Sequence, residues 1–170
     1  LIDRCKSSGF KGLCLTVDTV VAGNRERDHR WGFTTPPKLT LKSLLSFATH
    51  PKWSINYLLN EKFQLANVSH FTKNGSSIAK GVMEYINEQY DPAMSWKDAE
   101  YCVKRWGGPF ALKGVMSVDD AKRAVDIGAS AIMLSNHGGR QLDGSRSPFD
   151  QLPEIADAVG GKIEIILDGG

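Results

Sequence analysis

The amino-acid sequence predicts an α/β fold of parallel strands and crossover helices, and within that class it favours about half of a (β/α)8 TIM barrel. Four apolar runs of strand length alternate with segments of helical periodicity, which implies a parallel sheet with right-handed connections. Polar and charged residues follow all four runs, at the strand ends where barrel enzymes carry their active sites. The alternative is a doubly wound sheet, which the lack of a G-x-G-x-x-G motif and of a P-loop disfavours. Because four strands cannot close a barrel, we expect half of one.

The first part of the chain predicts a helix end, a strand and a loop. Residues 1–10 have a helical pattern that Gly9 stops. Residues 12–19 form a mostly apolar run, which we expect to be a strand buried on both faces. Residues 19–37 are polar and basic and end in two prolines, so they predict a loop.

Residues 38–90 predict a loop insertion within a barrel domain that covers residues 1–170. A connection between a strand and a helix usually has about 2–6 residues, and this one is far longer. Leu41, Leu44 and Leu45 have helical spacing. Bulky apolar side chains are interleaved with lysines, which suggests a surface for a membrane or a partner. A helical flap packed on its own domain is the alternative. The lysines are Lys38, Lys42, Lys52 and Lys62.

From Ser95 onward the sequence predicts a regular alternation of helices and strands. Ser95 and Ser117 are good N-cap residues, and we expect Gly107 and Gly128 to end the two helices that follow them. The predicted order is a helix over 95–106, a strand over 110–115, a helix over 117–127, a strand over 131–134, a loop to about 149, a helix over about 150–159 and a strand over 163–167.

Composition excludes several classes of function. The formal net charge of +2 is too small to indicate a nucleic-acid partner. No apolar run reaches the ~18 residues of a membrane span, and the histidines lack the spacing of a metal site. The three cysteines are widely spaced without a C-x-x-C motif, which favours reduced thiols in a cytoplasmic protein. The chain starts at Leu1 inside a predicted helix and stops on a glycine-rich turn, so we expect a fragment.

The stretch SNHGGRQLD at 135–143 carries the residue types of a catalytic strand end. His137 can take and hold a proton near neutral pH, and Arg140 offers a rigid fork for a carboxylate or a phosphate. The two glycines allow a sharp turn and a close approach by a ligand. The alternative is a plain turn, with His137 bonded to neighbouring carbonyl groups and Arg140 in solvent.

Four further features are candidates, and each has an ordinary structural alternative. Lys113 ends an apolar strand, so its charge either leaves the barrel mouth or meets an anion there. Asp18 could cap a turn or hold an imidazolium, and Arg25 could be a solvated loop charge. The sequence DGG at 168–170 could be a plain turn or the start of a phosphate-binding loop.

The longer string SNHGGRQLDG resembles the active-site motif of the FMN-dependent L-2-hydroxy-acid dehydrogenases and oxidases. That family includes flavocytochrome-type lactate dehydrogenases, glycolate oxidase and mandelate dehydrogenase. Further matches follow the family order, namely TVD at 16–18, GNRERD at 23–28, LKG at 112–114 and DGG at 168–170. The resemblance implies a TIM barrel that binds FMN and oxidises an L-2-hydroxy acid to its 2-oxo acid.

The resemblance also implies a role for each candidate residue. His137 is expected to be the active-site base, paired with Asp18, while Arg140 and Arg25 bind the substrate carboxylate. Lys113 is expected to balance negative charge beside flavin N1 and O2. The residues expected to contact FMN are Thr16, Lys113, Ser135, Asp168, Gly169 and Gly170. L-Lactate is the default substrate, mandelate is the alternative, and the choice between a carbanion and a hydride route stays open.

The insertion resembles the long loop of the bacterial membrane-associated lactate and mandelate dehydrogenases, through THPKW at 49–53 and QLANV at 64–68. This implies peripheral contact with the inner face of the cell membrane through residues 38–90. It also implies electron transfer to a quinone or a cytochrome, and a homo-oligomeric full-length protein.

Three other interpretations stay open at this point. They are an oxidase of the same family that uses O2, another FMN or phosphate barrel such as the inosine-monophosphate dehydrogenase group, and an inactive half-barrel that binds a partner or a membrane. The second needs a loop cysteine nucleophile, and none of the three cysteines follows a strand end. Because the family's other strands would lie outside this chain, we do not expect the chain alone to be active.

Overall fold

The computed structural model describes residues 1–19, 23–24, 26–31, 40–60, 91–142 and 144–169. Contacts divide the chain into two units. The first unit contains residues 1–25 and 91–170, and the second contains residues 26–90.

The described residues form helices and strands, which alternate from Trp96 onward. In chain order they are α1 (Ile2–Ser7), β1 (Leu13–Thr16), α2 (Glu26–Trp31), α3 (Leu41–Thr49), α4 (Pro51–Leu59), α5 (Trp96–Trp106), β2 (Phe110–Lys113), α6 (Val118–Asp126), β3 (Ala131–Leu134), α7 (Pro148–Val159) and β4 (Glu164–Leu167). A 3-10 turn, His137–Gly139, follows β3. Helices α2, α3 and α4 lie in the second unit and the other elements in the first.

The four strands form one parallel sheet in the order β1-β2-β3-β4. Each strand lies beside the one that precedes it in the chain, so the sheet grows in one direction as the wall of a barrel does. A doubly wound sheet would instead reverse its strand order. The register pairs Thr16 with Lys113, Lys113 with Met133, and Met133 with Ile166. The carboxyl ends of all four strands therefore meet at one edge of the sheet.

Alternate residues of each strand point to the face that the helices cover. Small alanines of α6 and larger side chains of α7 pack on the strand residues of this face. The members with the least exposure, all at 0% or 1%, are Phe110, Leu112, Ala121, Ala124, Ile132, Leu134, Ile155 and Val159. Close packing of this kind resists displacement of the backbone, so the core gives the strand ends fixed positions.

Serine residues are the N-caps of the helices that connect the strands. Ser95 forms a capping box with Asp98 at the start of α5, and Ser117 caps α6. Both confirm the predicted helix starts. Helix α7 begins two residues before its predicted start. Ser147 caps it and Pro148 occupies its first turn, where a proline sacrifices no hydrogen bond.

The prediction of a loop over residues 19–37 is wrong at α2. The Arg30 guanidinium donates to the Glu26 carboxylate at 2.8 Å, one helical turn away. Such a pair stabilises a helix by roughly 0.2–0.5 kcal/mol. The charges that favoured a loop in the sequence therefore support a short helix. Residues 20–22, 25 and 32–39 of the predicted loop lie outside the described residues.

Within the described residues the first strand is covered on one face, whereas burial on both faces was predicted. Strand β1 is shorter than the predicted 12–19. Leu13 and Leu15 pack against the core, whereas Cys14 between them is exposed. The core takes alternate residues from one face of the sheet, and the other face is the one that the interior of a closed barrel covers.

In the second unit, α3 and α4 follow each other closely and carry exposed apolar side chains. Trp53 stacks between Phe47 and Tyr57, with ring centroids 5.4 Å and 5.2 Å apart. The most exposed leucines of these two helices are Leu41 (82%), Leu45 (68%), Leu58 (78%) and Leu59 (81%). None of the described helices is both long and apolar enough to cross a membrane. Residues 61–90 of the predicted insertion lie outside the described residues.

Candidate active site

The carboxyl edge of the sheet gathers the polar residues that follow the strands. Thr16 ends β1 beside Lys113, which ends β2. Ser135 follows β3 and Asp168 follows β4, and these two chain segments are joined by a hydrogen bond from the Asp168 amide to the Leu134 carbonyl oxygen at 2.9 Å. The site therefore results directly from the parallel register.

Lys113, Ser135 and Asp168 form one cluster. The Lys113 ammonium donates to Ser135 Oγ at 2.7 Å and forms an ion pair with the Asp168 carboxylate. Ser135 is fully buried, and its hydroxyl lies 3.3 Å from Asp168 Oδ2. An ammonium has three N–H donors, and within the described residues only these two side chains accept from it. The Lys113 side chain is 21% exposed, so one N–H is left for a ligand.

The ion pair fixes the charge of Asp168. The hydrogen bond from Lys113, and then its positive charge, lower the pKa of Asp168 below the ordinary value of 3.8. A nearby cation and a donated hydrogen bond both favour the ionised carboxylate. The Asp168 carboxylate is therefore ionised at neutral pH.

His137 and Asp18 form a second pair at the same edge. His137 Nδ1 lies 3.3 Å from each carboxylate oxygen of Asp18, and the two side chains are 29% and 17% exposed. Because an ionised carboxylate only accepts hydrogen bonds, Nδ1 carries the proton in this pair. Nε2 then keeps its lone pair, and that nitrogen can act as a base.

Gly114 makes room for the Asp18 side chain. A Cβ at Gly114 would lie 2.7 Å from both Cβ and Cγ of Asp18, and its φ of +102° also favours glycine. The residue that follows the Lys113 strand end therefore decides whether the Asp18 carboxylate can reach the imidazole.

The backbone amide of His137 joins the two groups of residues. It donates to Ser135 Oγ at 3.1 Å. The same hydroxyl oxygen accepts from the Lys113 ammonium, so it links Lys113 to the backbone of His137. The structure thus brings five of the predicted residues into one hydrogen-bonded network. They are Asp18, Lys113, Ser135, His137 and Asp168.

Arg140 follows the histidine turn and is exposed. No residue of the described part of the chain forms an ion pair with its guanidinium. Gly23, two residues before Arg25, lies so close that a Cβ there would overlap the Arg140 carbonyl oxygen. Arg25 itself and Gly170 lie outside the described residues, so their predicted roles stay predictions.

Gly169 follows Asp168 with a φ of +92°. A Cβ there would lie 3.1 Å from Asn136 Oδ1, so the last described turn packs against the histidine turn. Within the described residues, no group of three or more histidine, cysteine, aspartate or glutamate side chains could hold a metal ion.

A family model described as FMN-dependent dehydrogenase matches residues 1–170. The chain belongs to this family. It is 41% identical over 170 residues to an L-lactate dehydrogenase of Pseudomonas entomophila, covering 99% of this chain and 44% of that protein. It is 43% identical over 170 residues to an L-lactate oxidase of Nostoc, covering 100% of this chain and 41% of that protein.

Solved structures agree with the family. The chain matches the crystal structure of the monotopic membrane protein (S)-mandelate dehydrogenase with a TM-score of 0.90 at 31% identity, covering 99% of this chain and 44% of that one. It matches mandelate oxidase with a TM-score of 0.64 at 32% identity, covering 99% of this chain and 37% of that one. The chain thus spans less than half the length of these relatives. The predicted resemblance and the predicted barrel, with four of its strands in this chain, are confirmed.

FMN is the cofactor of the family, and the strand ends fit it. The Lys113 ammonium is partly exposed and has an N–H group available. Such a cation can donate to the electron-rich edge of a flavin ring or to a phosphate. Thr16 lies next to it in register, and Gly169 turns without a side chain. These residues and Asp168 would hold the cofactor. The hydroxyl of buried Ser135 is engaged within the protein, so its direct contact with flavin stays a prediction.

Sequence reasoning missed two residues that shape the site. Asn136 and Gly114 stand beside His137 and Lys113 in the motifs, yet neither carries a group with obvious chemistry. Glycine is the usual sign of a required backbone conformation. An asparagine followed by two glycines within three residues is a typical turn pattern, and that could have indicated the role of Asn136.

Proposed function

We propose that the full-length protein oxidises an L-2-hydroxy acid to the corresponding 2-oxo acid. The pairing of His137 Nδ1 with Asp18 at the strand ends, next to Lys113, is the observation that carries this proposal. FMN, when bound, accepts the two electrons that the substrate loses. Membership of the FMN-dependent dehydrogenase family supports the same reaction class.

The residues of the chain divide the work between binding and proton transfer. The exposed Arg140 binds the substrate carboxylate, and Arg25 assists it, as the resemblance implies. His137 takes a proton from the substrate at Nε2, because its Nδ1 faces Asp18. Asp18 then stabilises the imidazolium that forms and keeps the ring oriented. Lys113 supplies the positive charge for the cofactor side of the site.

We propose L-lactate as the substrate and a quinone or a cytochrome as the electron acceptor. The proteins named L-lactate dehydrogenase among the relatives support lactate. The mandelate dehydrogenase and oxidase structures make L-mandelate the first competitor. Lactate and mandelate share the carboxylate and the hydroxyl that Arg140 and His137 would bind, so the side group of the substrate decides between them.

An anaerobic reduction experiment tests this function. The full-length gene product, purified in detergent and loaded with FMN, is mixed with L-lactate, L-mandelate or glycolate, and the absorbance of oxidised flavin is followed. We expect rapid bleaching with L-lactate. Bleaching by mandelate alone would keep the reaction and change the substrate. If none of the three acids bleaches bound FMN, the proposed function is wrong.

A second candidate, an oxidase that uses O2, is favoured by the 43% identity to the lactate oxidase of Nostoc. The two functions differ in the fate of the electrons. In air, an oxidase produces one hydrogen peroxide for each lactate consumed, whereas a dehydrogenase turns over slowly until a quinone or a cytochrome is added. The rate in air with and without a soluble quinone separates them.

We also propose that the insertion over 38–90, which lies within the second unit, contacts a membrane at the inner face of the cell. The exposed leucines of α3 and α4 and the monotopic character of the mandelate dehydrogenase relative support this. We propose in addition that the full-length protein is a homo-oligomer. It is active only when its remaining barrel strands are present.

A further inference from the structure

The turn that carries His137 has an unusual backbone. His137 has a φ of +59°, the one positive value of a non-glycine residue within the described ranges. Gly138 and Gly139 follow with φ of +64° and +66°. The left-handed region costs a residue with a Cβ roughly 1–2 kcal/mol. His137, the residue proposed to take a proton, therefore has a strained backbone conformation. Contacts with neighbouring residues must hold it there.

Two side chains hold the amides of this turn. Ser135 Oγ accepts from the His137 amide at 3.1 Å. Asn136 Oδ1 accepts from the Gly138 amide at 3.0 Å and from the Gly139 amide at 3.3 Å. Three consecutive N–H groups thus point to side-chain oxygens of the two residues that precede them. A left-handed turn of this kind would otherwise present its amides to an anion.

Asn136 also contacts the far side of the site. A Cβ at Gly169 would lie 3.1 Å from Asn136 Oδ1 and 3.6 Å from the Gly138 amide nitrogen. The Asn136 side chain is therefore enclosed between its own turn and the segment after β4. It is half-buried, whereas Gly138 and Gly139, whose amides it accepts from, are exposed.

We infer that Asn136 is a positioning residue that holds the His137 imidazole against Asp18. The side-chain amide touches neither the imidazole nor the carboxylate, and it acts through the backbone of the turn. Without its oxygen, the Gly138 amide loses its acceptor, the Gly139 amide keeps only the Asn136 carbonyl oxygen at 3.0 Å, and His137 can leave the left-handed region. The imidazole then moves away from Asp18, since the 3.3 Å separation depends on this backbone. This inference rests on the proposed function, in which His137 is the base.

The test compares substitutions at Asn136 in the full-length, FMN-loaded protein. Asn136→Leu and Asn136→Ala remove the acceptor, whereas Asn136→Asp keeps an oxygen at the same position. We expect kcat for L-lactate to fall on the order of 100-fold in the first two, in line with a displacement of about 1 Å at a reacting group. We expect FMN affinity to stay unchanged, KM to change less than kcat, and Asn136→Asp to stay within about fivefold of the parent.

A measurement without substrate reports the same geometry. Selective 15N labelling of histidine detects the Nδ1–H of His137 bonded to Asp18. The parent and Asn136→Asp should give this resonance, and Asn136→Leu and Asn136→Ala should lose it. Ser117→Ala is the matched control, because it removes a capping acceptor of the same kind from the start of α6. It should lower the melting temperature while kcat and the resonance stay as in the parent.

The outcomes separate the two proposals. If the parent reduces no FMN with any 2-hydroxy acid, the proposed function fails, and the resonance still decides the position of His137. If Asn136→Leu and Asn136→Ala keep both the resonance and the parental kcat, the positioning role is wrong. Equal losses of kcat in Ser117→Ala would also overturn it, because general destabilisation would then explain the effect.

Discussion

At the scale of single residues, the two carboxylates of the site face different cations. Asp18 lies against an imidazole and is 17% exposed, whereas Asp168 lies against the Lys113 ammonium and is 47% exposed. An imidazole gains its charge only when it takes a proton, while an ammonium is charged throughout. Asp18 therefore stabilises a charge that arises during the proposed reaction, and Asp168 neutralises a permanent one.

His137→Gln should leave FMN binding intact and lower the rate of flavin reduction by about 10²–10⁴-fold, the usual contribution of a general base. The amide of glutamine can bond to Asp18 but cannot take the proton. His50→Gln is the control, since His50 is an exposed histidine of the second unit. FMN fluorescence quenching measures binding, and stopped-flow absorbance with L-lactate measures reduction. An unchanged reduction rate in His137→Gln would contradict the proposed base.

Lys113→Met should raise the pKa of Asp168 back toward 3.8, because Lys113 is the main cause of its lowering. A carboxylate with a lowered folded pKa stabilises the fold above its ordinary pKa, and this contribution is lost as the pH falls through the lowered value. As the pH falls below about 3.8 and through the lowered pKa of Asp168, the free energy of unfolding should therefore decrease less in the variant than in the parent. Carboxyl 13C titration of the FMN-free protein measures the shift.

Asp98 supplies an internal control for that titration. Hydrogen bonds from the Ser95 hydroxyl and amide lower the pKa of Asp98, and Lys113 does not contribute. Its titration should be the same in both proteins. If Asp168 titrates identically with and without the Lys113 ammonium, the ion pair does not exist in solution.

The residues that bring charged or titratable groups to the strand ends could be found from the sequence, whereas those that shape the backbone could not. Lys113, His137 and Asp168 were predicted because each places a charged or titratable group after an apolar strand. The role of Gly114 depends on Asp18, a residue distant in the chain, and that of Asn136 depends on the φ of its neighbour. Neither the close approach of Asp18 to Gly114 nor the left-handed backbone of His137 can be recognised from composition or periodicity.

At the scale of elements, local chemistry predicted the helices of the first unit well. Ser95 and Ser117 marked helix starts because a serine oxygen replaces a missing backbone acceptor. Helix α2 was missed because its charged residues are also typical of loops, and only the spacing of Glu26 and Arg30 favours a helix. The 3-10 turn after β3 was missed for a similar reason, since glycines alone do not specify its conformation.

Ser95→Ala should lower the free energy of unfolding by about 1 kcal/mol, the usual cost of losing an N-cap. The change breaks the capping box that Ser95 forms with Asp98 at the start of α5. Ser7→Ala is the control, because the Ser7 hydroxyl donates only to a carbonyl within the exposed end of α1. We expect it to change the free energy by less than about 0.5 kcal/mol. Urea denaturation measures both, and equal effects would mean that the cap contributes nothing.

At the scale of the whole molecule, the order of the strands was predictable because parallel strands with crossover helices allow few arrangements. The burial of the sheet depends on more than these four strands. The core takes one face here, and Ile166 of β4 is 42% exposed, on the face that the interior of a closed barrel covers. Periodicity identifies a strand but not how many of its faces are covered. Which face is covered depends on elements far away in the chain.

The exposed leucines of the second unit lead to a prediction about membranes. Burying one leucine side chain contributes roughly 1.5–3 kcal/mol, so several of them on α3 and α4 could give stable binding to a lipid surface. Replacing four by serine should weaken binding of the full-length protein to anionic liposomes by at least about tenfold, which corresponds to a loss of only 1.4 kcal/mol. The four are Leu41, Leu45, Leu58 and Leu59.

The matched control replaces exposed apolar side chains of the first unit. Tyr101 and Phe149 are 64% and 72% exposed, and Tyr101→Ser with Phe149→Ser should leave liposome binding at the parental level. Flotation measures binding, and flavin reduction by L-lactate in solution should be the same in all three proteins. If the leucine variant binds liposomes as tightly as the parent, α3 and α4 are not the membrane contact. If the control variant loses binding equally, general surface hydrophobicity rather than these two helices attracts the protein to lipid.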